Sequence, residues 1–242
     1  MLSLNTTSET LIHFCSSINM YPIPVISIFH HHLPIKRALD RKSGKWDNKK
    51  QCNMQKGEKR RIMRVITGIA RGVRLETLPG NDTRPTAERV KEALFSALQF
   101  ELEGRRALDL FAGSGQLGIE ALSRGAASCT FVDRSTAAVE IIRRNLRKAV
   151  LDTHSQVLCQ DAAAYLARTP DRFDILFLDP PYASGVLPTI LPMAAAVTDA
   201  GGVIACETDA RQEMPNSIAD FLLYRSYRYG KTFIHLYRAS GV

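Results

Sequence analysis

From Met63 onward the chain falls into short apolar runs separated by turns or by stretches of helical spacing. Val65-Ile66 and Val73-Arg74-Leu75 flank Gly68 and Gly72, a pattern that predicts a small hairpin. Pro85 and Thr86 then lead into Val90, Ala93, Leu94, Ala97 and Leu98, which recur every three or four positions, as on one face of an amphipathic helix. After Gly104 the pattern alternates. Apolar runs at 107–111, 129–132, 157–158, 173–178 and 203–206 are separated by helical stretches, the first two starting at Gly115 and Ser135. Strands separated by helices need crossover connections, and these build a parallel sheet. The ending differs: the runs 221–229 and 232–238 are separated only by Gly230-Lys231, so they must pair antiparallel. The expected fold is α/β and Rossmann-like, a catalytic domain over 105–242 preceded by a hairpin and helix over 63–104.

Residues 1–62 lack such periodicity and read as a disordered extension. An RNA-binding arm, an organelle-targeting segment and upstream sequence translated from an early start codon all fit. The abrupt onset of order at Met63 favours the last. His30-His31-His32 is a poor metal site, because three adjacent side chains on an extended chain cannot all face one ion. The apolar run 21–29 is too short to span a bilayer and is broken by Pro22 and Pro24.

Charge becomes informative only once it is located. The net charge is +8 over 242 residues, but residues 1–62 hold 11 Lys and Arg against 4 acids, and the remaining 180 hold 21 against 20. The basic balance therefore belongs to the N-terminal quarter. Five scattered cysteines with no C-x-x-C read as reduced thiols of a cytoplasmic protein, with no membrane partner.

The apolar run ending in Asp109-Leu110-Phe111 passes directly into Ala112-Gly113-Ser114-Gly115 and then a helix. Glycines permit a tight turn and close approach of a ligand, and the helix start offers free N–H groups. Asp133, after the second strand, stands where an acid meets ribose hydroxyls. Gly113-x-Gly115-x-x-Gly118 also satisfies the dinucleotide fingerprint, so a nicotinamide-dependent oxidoreductase remains open. Asp109 and Asp161 favour S-adenosyl-L-methionine, since Asp109 can anchor a cationic amino group through the turn and Asp161 would lie beside the adenine. Asp161 also suits a helix N-cap, and one residue can serve both roles.

At the carboxyl end of the run 173–178 stands Asp179-Pro180-Pro181-Tyr182, a stiff loop because proline fixes its own φ and extends its predecessor. The lone pair of a base's exocyclic amine is delocalised into the ring, so methylation requires that nitrogen to be held in line and partly pyramidal. The Asp179 carboxylate and the Pro180 carbonyl can accept its two N–H bonds, and Tyr182 can stack on the flipped base. A turn that merely ends a strand is the plain alternative.

These motifs resemble the RsmD family of bacterial 16S rRNA guanine-N2 methyltransferases. The resemblance covers residues 63–242 and rests on Arg64-Val65-Ile66 with Arg71-Gly72-Val73-Arg74-Leu75, on Thr83-Arg84-Pro85-Thr86 with Arg89-Val90-Lys91-Glu92-Ala93-Leu94-Phe95, on the turn that begins at Asp109, and on Asp179-Pro180-Pro181-Tyr182. It implies a seven-stranded methyltransferase fold with an antiparallel strand in the C-terminal hairpin. The expected cofactor residues are Asp109, Phe111, Gly113, Gly115, Asp133 and Asp161. The catalytic set would be Asp179, Pro180, Pro181 and Tyr182, and Arg71, Arg74, Arg84, Arg89 and Lys91 would contact RNA. The expected partner is 16S rRNA within a small-subunit assembly intermediate, and the protein would act as a monomer without a metal. Two rivals keep the chemistry and change the base, to adenine N6 or cytosine N4 of DNA or to adenine of rRNA. A non-catalytic RNA-binding protein is a third.

Overall fold

The computed structural model describes residues 63–78, 85–181, 185–209 and 212–239. The expected disordered extension, residues 1–62, lies outside them. The elements in chain order are α1 (Pro85–Ala97), β1 (Arg106–Leu110), α2 (Gln116–Ser123), β2 (Ser128–Asp133), α3 (Thr136–Ala149), β3 (Ser155–Cys159), α4 (Ala162–Leu166), β4 (Phe173–Leu178), α5 (Leu187–Val197), β5 (Thr198–Asp209), β6 (Ser217–Ile218), β7 (Phe221–Tyr229) and β8 (Thr232–Ala239). All strands form one sheet in the order β3-β2-β1-β4-β5-β8-β7-β6. Strands β1 to β5 are parallel, β8 runs antiparallel to β5, and β7 runs antiparallel to β8.

The seven-stranded frame expected from the motifs is present, with two differences. β5 extends well beyond 203–206 at both ends, and a two-residue β6 pairs with the start of β7 through Ser217–Leu222 and Ile218–Phe221. Neither was legible as alternation, because Gly201-Gly202 interrupts the apolar run of β5 and β6 is too short to show a period.

Helices cover both faces of the sheet at its centre, so β1, β2 and β4 are apolar on both sides, whereas β3 and β7 are partly exposed. On one face Ala107, Phe131, Ile175 and Phe177 pack with Phe95 of α1 and Leu98 just beyond its end, Ile119 of α2, and Ile142 and Leu146 of α3. On the other, Leu108, Leu110, Leu176 and Leu178 pack with Tyr165 of α4 and Ile190 and Leu191 of α5. The side-chain period of two along β1 places Asp109 on the same face as Ala107, toward α2.

The hairpin is minimal. Val65 donates to the Val73 carbonyl at 3.0 Å, Gly72 to Val65 at 2.9 Å and Leu75 to Met63 at 2.8 Å. It lies tightly on α2: a Cβ placed on Gly68 would come within 1.7 Å of the Ser123 carbonyl oxygen, a spacing only glycine allows. Among the described residues, no helix is long and apolar enough to cross a membrane.

Candidate active site

In an open parallel sheet, ligands bind beyond the carboxyl ends of the strands where the strand order reverses. Here that point lies between β1 and β4. The glycine turn leaves the end of β1, and the register Leu110–Leu178 brings Phe111 level with Asp179 at the end of β4.

Three constraints shape the turn. Phe111 closes β1 with φ 62°, and Gly113 and Gly115 follow at φ 56° and 77°. A positive φ at an aromatic residue is strained, and such strain persists where surrounding structure imposes it. The Asp133 carboxylate accepts from Gly113 N–H and from Ser135 N–H, each at 2.8 Å, tying the turn to the end of β2. Asp109 is 2% exposed and accepts from Gly118 N–H at 2.9 Å, tying it to the first turn of α2. Gly118 lets that helix sit directly on β2, since a Cβ there would lie 2.3 Å from Phe131 Cε1 and 2.6 Å from Cys129 Sγ.

The backbone of the turn is open at Gly113, whereas a Cβ on Gly115 would press on Ile119 and Ile142 at 3.3 Å. A Cβ built on Gly113 would meet only the Phe111 carbonyl, at 3.9 Å. Asp161 follows β3, lies exposed and caps α4 by accepting from Ala164 N–H at 3.0 Å. An open glycine turn with a carboxylate after each of the next two strands is the set of groups an adenosine cofactor needs, so the residues present fit such a group.

Carboxyls crowd this edge. Burial raises the pKa of Asp109 from the usual 3.8 to about 8; the Gly118 hydrogen bond opposes this and the Asp133 charge adds to it. Burial also holds the Asp179 carboxyl well above the usual range, with the Glu207 and Asp109 charges adding to the effect. Glu207 falls level with Asp179 because Leu178 pairs with Cys206 in the β4–β5 register. A cation placed among these groups relieves their repulsion and favours their ionised forms. Pro180 is buried behind Asp179, whereas Pro181 is exposed.

The structure thus brings together Asp109, Phe111, Gly113, Gly115, Asp133, Asp179 and Pro180, with Asp161 one strand farther out. Tyr182 and Arg84 lie outside the described residues. Arg71, Arg74 and Arg89 are exposed and free to reach a phosphate. Lys91 corrects the expectation of an RNA contact. It is 3% exposed, its ammonium donates to the Arg64 carbonyl at 2.8 Å, and it lies 3.5 Å from Glu120. Burial lowers its pKa, and the Glu120 charge opposes that shift. A side chain held this way fastens α1 to the hairpin and cannot also reach a phosphate.

A profile of the family described as "Conserved hypothetical protein 95" matches residues 63–238. Ribosomal RNA small subunit methyltransferase D of Escherichia coli K12 is 32% identical over 182 residues, covering 73% of this chain and 89% of that protein. The chain belongs to the RsmD family. Bacillus subtilis YlbH is 40% identical over 184 residues, covering 74% of this chain and all of that one. The solved structure of Escherichia coli yhhF superposes with a TM-score of 0.65 at 32% identity, covering 74% of this chain and 98% of that one. The RsmD-family chain is therefore a methyltransferase.

Three buried polar residues fasten this region together: Glu120 and Ser123, which belong to the cofactor motif but had no role assigned, and Asn145, which belongs to none. Glu120, fully buried, accepts from Ile66 N–H at 2.8 Å, Thr67 N–H at 3.0 Å and Arg124 Nε at 2.9 Å. The Ser123 hydroxyl accepts from Ala70 N–H and donates to the Thr67 carbonyl. Asn145, also fully buried, bonds the backbone of Glu76 and Ser114. The sequence signal available for each was a polar residue on the apolar stripe of its helix.

Proposed function

We propose that the chain transfers a methyl group from S-adenosyl-L-methionine to the exocyclic N2 amine of a guanine in small-subunit 16S rRNA, at position 966. The observation that carries this reading is the placement of Asp179-Pro180 at the end of β4, level with the glycine turn at the end of β1. When bound, S-adenosylmethionine supplies an electrophilic methyl on a sulfonium. The chain's own groups do the rest. Gly113 and Gly115 admit the cofactor against backbone, Asp133 faces its ribose, and Asp161 stands beside the adenine. Asp109 and the acids around it favour a positively charged ligand.

Asp179 Oδ and the Pro180 carbonyl accept the two N–H groups of the amine, holding the nitrogen in line and shifting its lone pair out of conjugation. Tyr182 stacks on the displaced base. Exposed Arg71 and Arg74 on the hairpin and Arg89 in the first turns of α1, together with Arg84, contact phosphate and set the RNA's register. Support for rRNA as substrate comes from the 32% identity to the small-subunit rRNA enzyme of Escherichia coli, and the family profile, over residues 63–238, takes in this basic leading segment. An assembly intermediate, still loosely folded, would leave the guanine accessible to a monomeric enzyme.

The test is Asp179→Ala. Turnover on undermethylated 16S rRNA falls by at least about 10²-fold, while affinity for S-adenosylhomocysteine by calorimetry changes little. Full turnover in the variant would remove the proposed role.

A further inference from the structure

The hairpin is fastened at two places, and the second reaches the cofactor turn. At the hairpin tip, Glu120 and Ser123 hold residues 66–70 onto α2. At its base, a single side chain holds both the outgoing strand and the turn. Asn145 Oδ1 accepts from Glu76 N–H at 2.8 Å, and Nδ2 donates to the Glu76 carbonyl at 3.0 Å and to the Ser114 carbonyl at 2.9 Å. Ser114 lies between Gly113 and Gly115, and its hydroxyl donates to Met63 Sδ, at the other leg of the hairpin, at 3.4 Å. Both legs therefore meet at the centre of the cofactor turn.

Both protons of the Asn145 amide are in use and the group is fully buried, so it has no alternative partners in water. If the strand at Glu76 lifts, or if the turn moves the Ser114 carbonyl by an ångström, bonds to the same amide break. Ordering either segment therefore orders the other.

We propose that Asn145 is a positioning residue that couples the RNA-contacting hairpin to the cofactor turn, so that RNA and cofactor bind cooperatively. The proposal rests on the functional reading above. RNA held by Arg71 and Arg74 fixes the hairpin, Asn145 passes that order to Ser114, and the turn then loses less freedom when the cofactor binds. Linkage makes the effect reciprocal.

The test is calorimetric titration of the full chain with S-adenosylhomocysteine, alone and with a saturating fragment of undermethylated 16S rRNA. For the wild type, RNA tightens binding at least about fivefold. In Asn145→Ala, and in the isosteric Asn145→Asp, which lacks both N–H donors, the ratio falls to near one. A purely structural asparagine would lower the melting temperature and leave the ratio intact, and that result overturns the proposal. Should neither variant fold, hydrogen exchange on the wild type decides. Saturating S-adenosylhomocysteine is expected to slow exchange at residues 75–77 and RNA to slow it at 113–115; absence of this reciprocal protection also overturns it. Failure of the wild type to bind either ligand sinks the functional reading itself, whereas binding of both with a ratio of one sinks only the coupling.

Discussion

Replacing Asp109 by asparagine changes one atom in a fully enclosed position and makes a pH-dependent prediction whose sign is fixed. In the folded protein, burial holds the Asp109 carboxyl near pKa 8, against 3.8 in its usual surroundings. The folded state therefore keeps its proton more tightly than the unfolded state does. Stability is at its full value below about pH 4 and is lost as pH rises toward 8. The loss runs at up to 1.36 kcal/mol per pH unit, or on the order of 5 kcal/mol by pH 8. Asparagine does not ionise, and its carbonyl oxygen can still accept from Gly118 N–H. Asp109→Asn should accordingly match the wild type near pH 4 and become more stable as pH rises, gaining a further 2–3 kcal/mol or so between pH 6 and pH 8. At about 2–4 °C per kcal/mol for a chain of this size, the gap in melting temperature widens by roughly 5–10 °C. Urea unfolding of both proteins at several pH values measures it. A stability difference that stays constant from pH 5 to pH 9 would refute the placement of a buried, proton-retaining carboxyl beneath the cofactor turn.

Other substitutions test the scaffold and the RNA face. Glu120→Ala leaves the buried Lys91 charge without its carboxylate and two half-buried backbone N–H groups without their acceptor, and should cost about 3–5 kcal/mol by chemical denaturation. Gly118→Ala would gain about 1 kcal/mol of helix propensity. The contact with Phe131 Cε1 at 2.3 Å outweighs that gain, so a net loss of about 1–3 kcal/mol is expected. Arg71→Ala and Arg74→Ala should each weaken RNA binding and reduce the slope of log K against log salt by about one, whereas Lys91→Met should leave that slope unchanged while lowering stability. A reduced slope in Lys91→Met would return that residue to the RNA face.

The parts of the fold legible in sequence were those with a period or a rigid motif. The alternation of apolar runs and helical spacing gave the order of β1 to β5, and the two-residue link at Gly230-Lys231 gave the antiparallel end. Acids near strand ends were legible at Asp109, Asp133 and Asp179, and the structure gathers them along one edge of the sheet. Lys91 was misjudged because a basic residue in a basic segment looks like a phosphate contact. Its fate was decided by Glu120, 29 positions away, which supplies a buried counter-charge that local composition does not show. Asn145 went unnoticed, and Ser123 was read only as part of the cofactor motif, for the same reason: their partners are loop backbone groups 31 to 69 residues distant. Glu207 was hidden because its place beside Asp179 depends on the β4–β5 register, which pairs Leu178 with Cys206.

The most direct measurement is incubation of the wild-type protein with labelled S-adenosylmethionine and small-subunit particles from cells lacking the modification, followed by nucleoside analysis of the 16S rRNA and mapping of the labelled position. Label is expected in N2-methylguanosine at a single site, and none in Asp179→Ala. Label in N6-methyladenosine or N4-methylcytosine, or label in duplex DNA and none in rRNA, would contradict it.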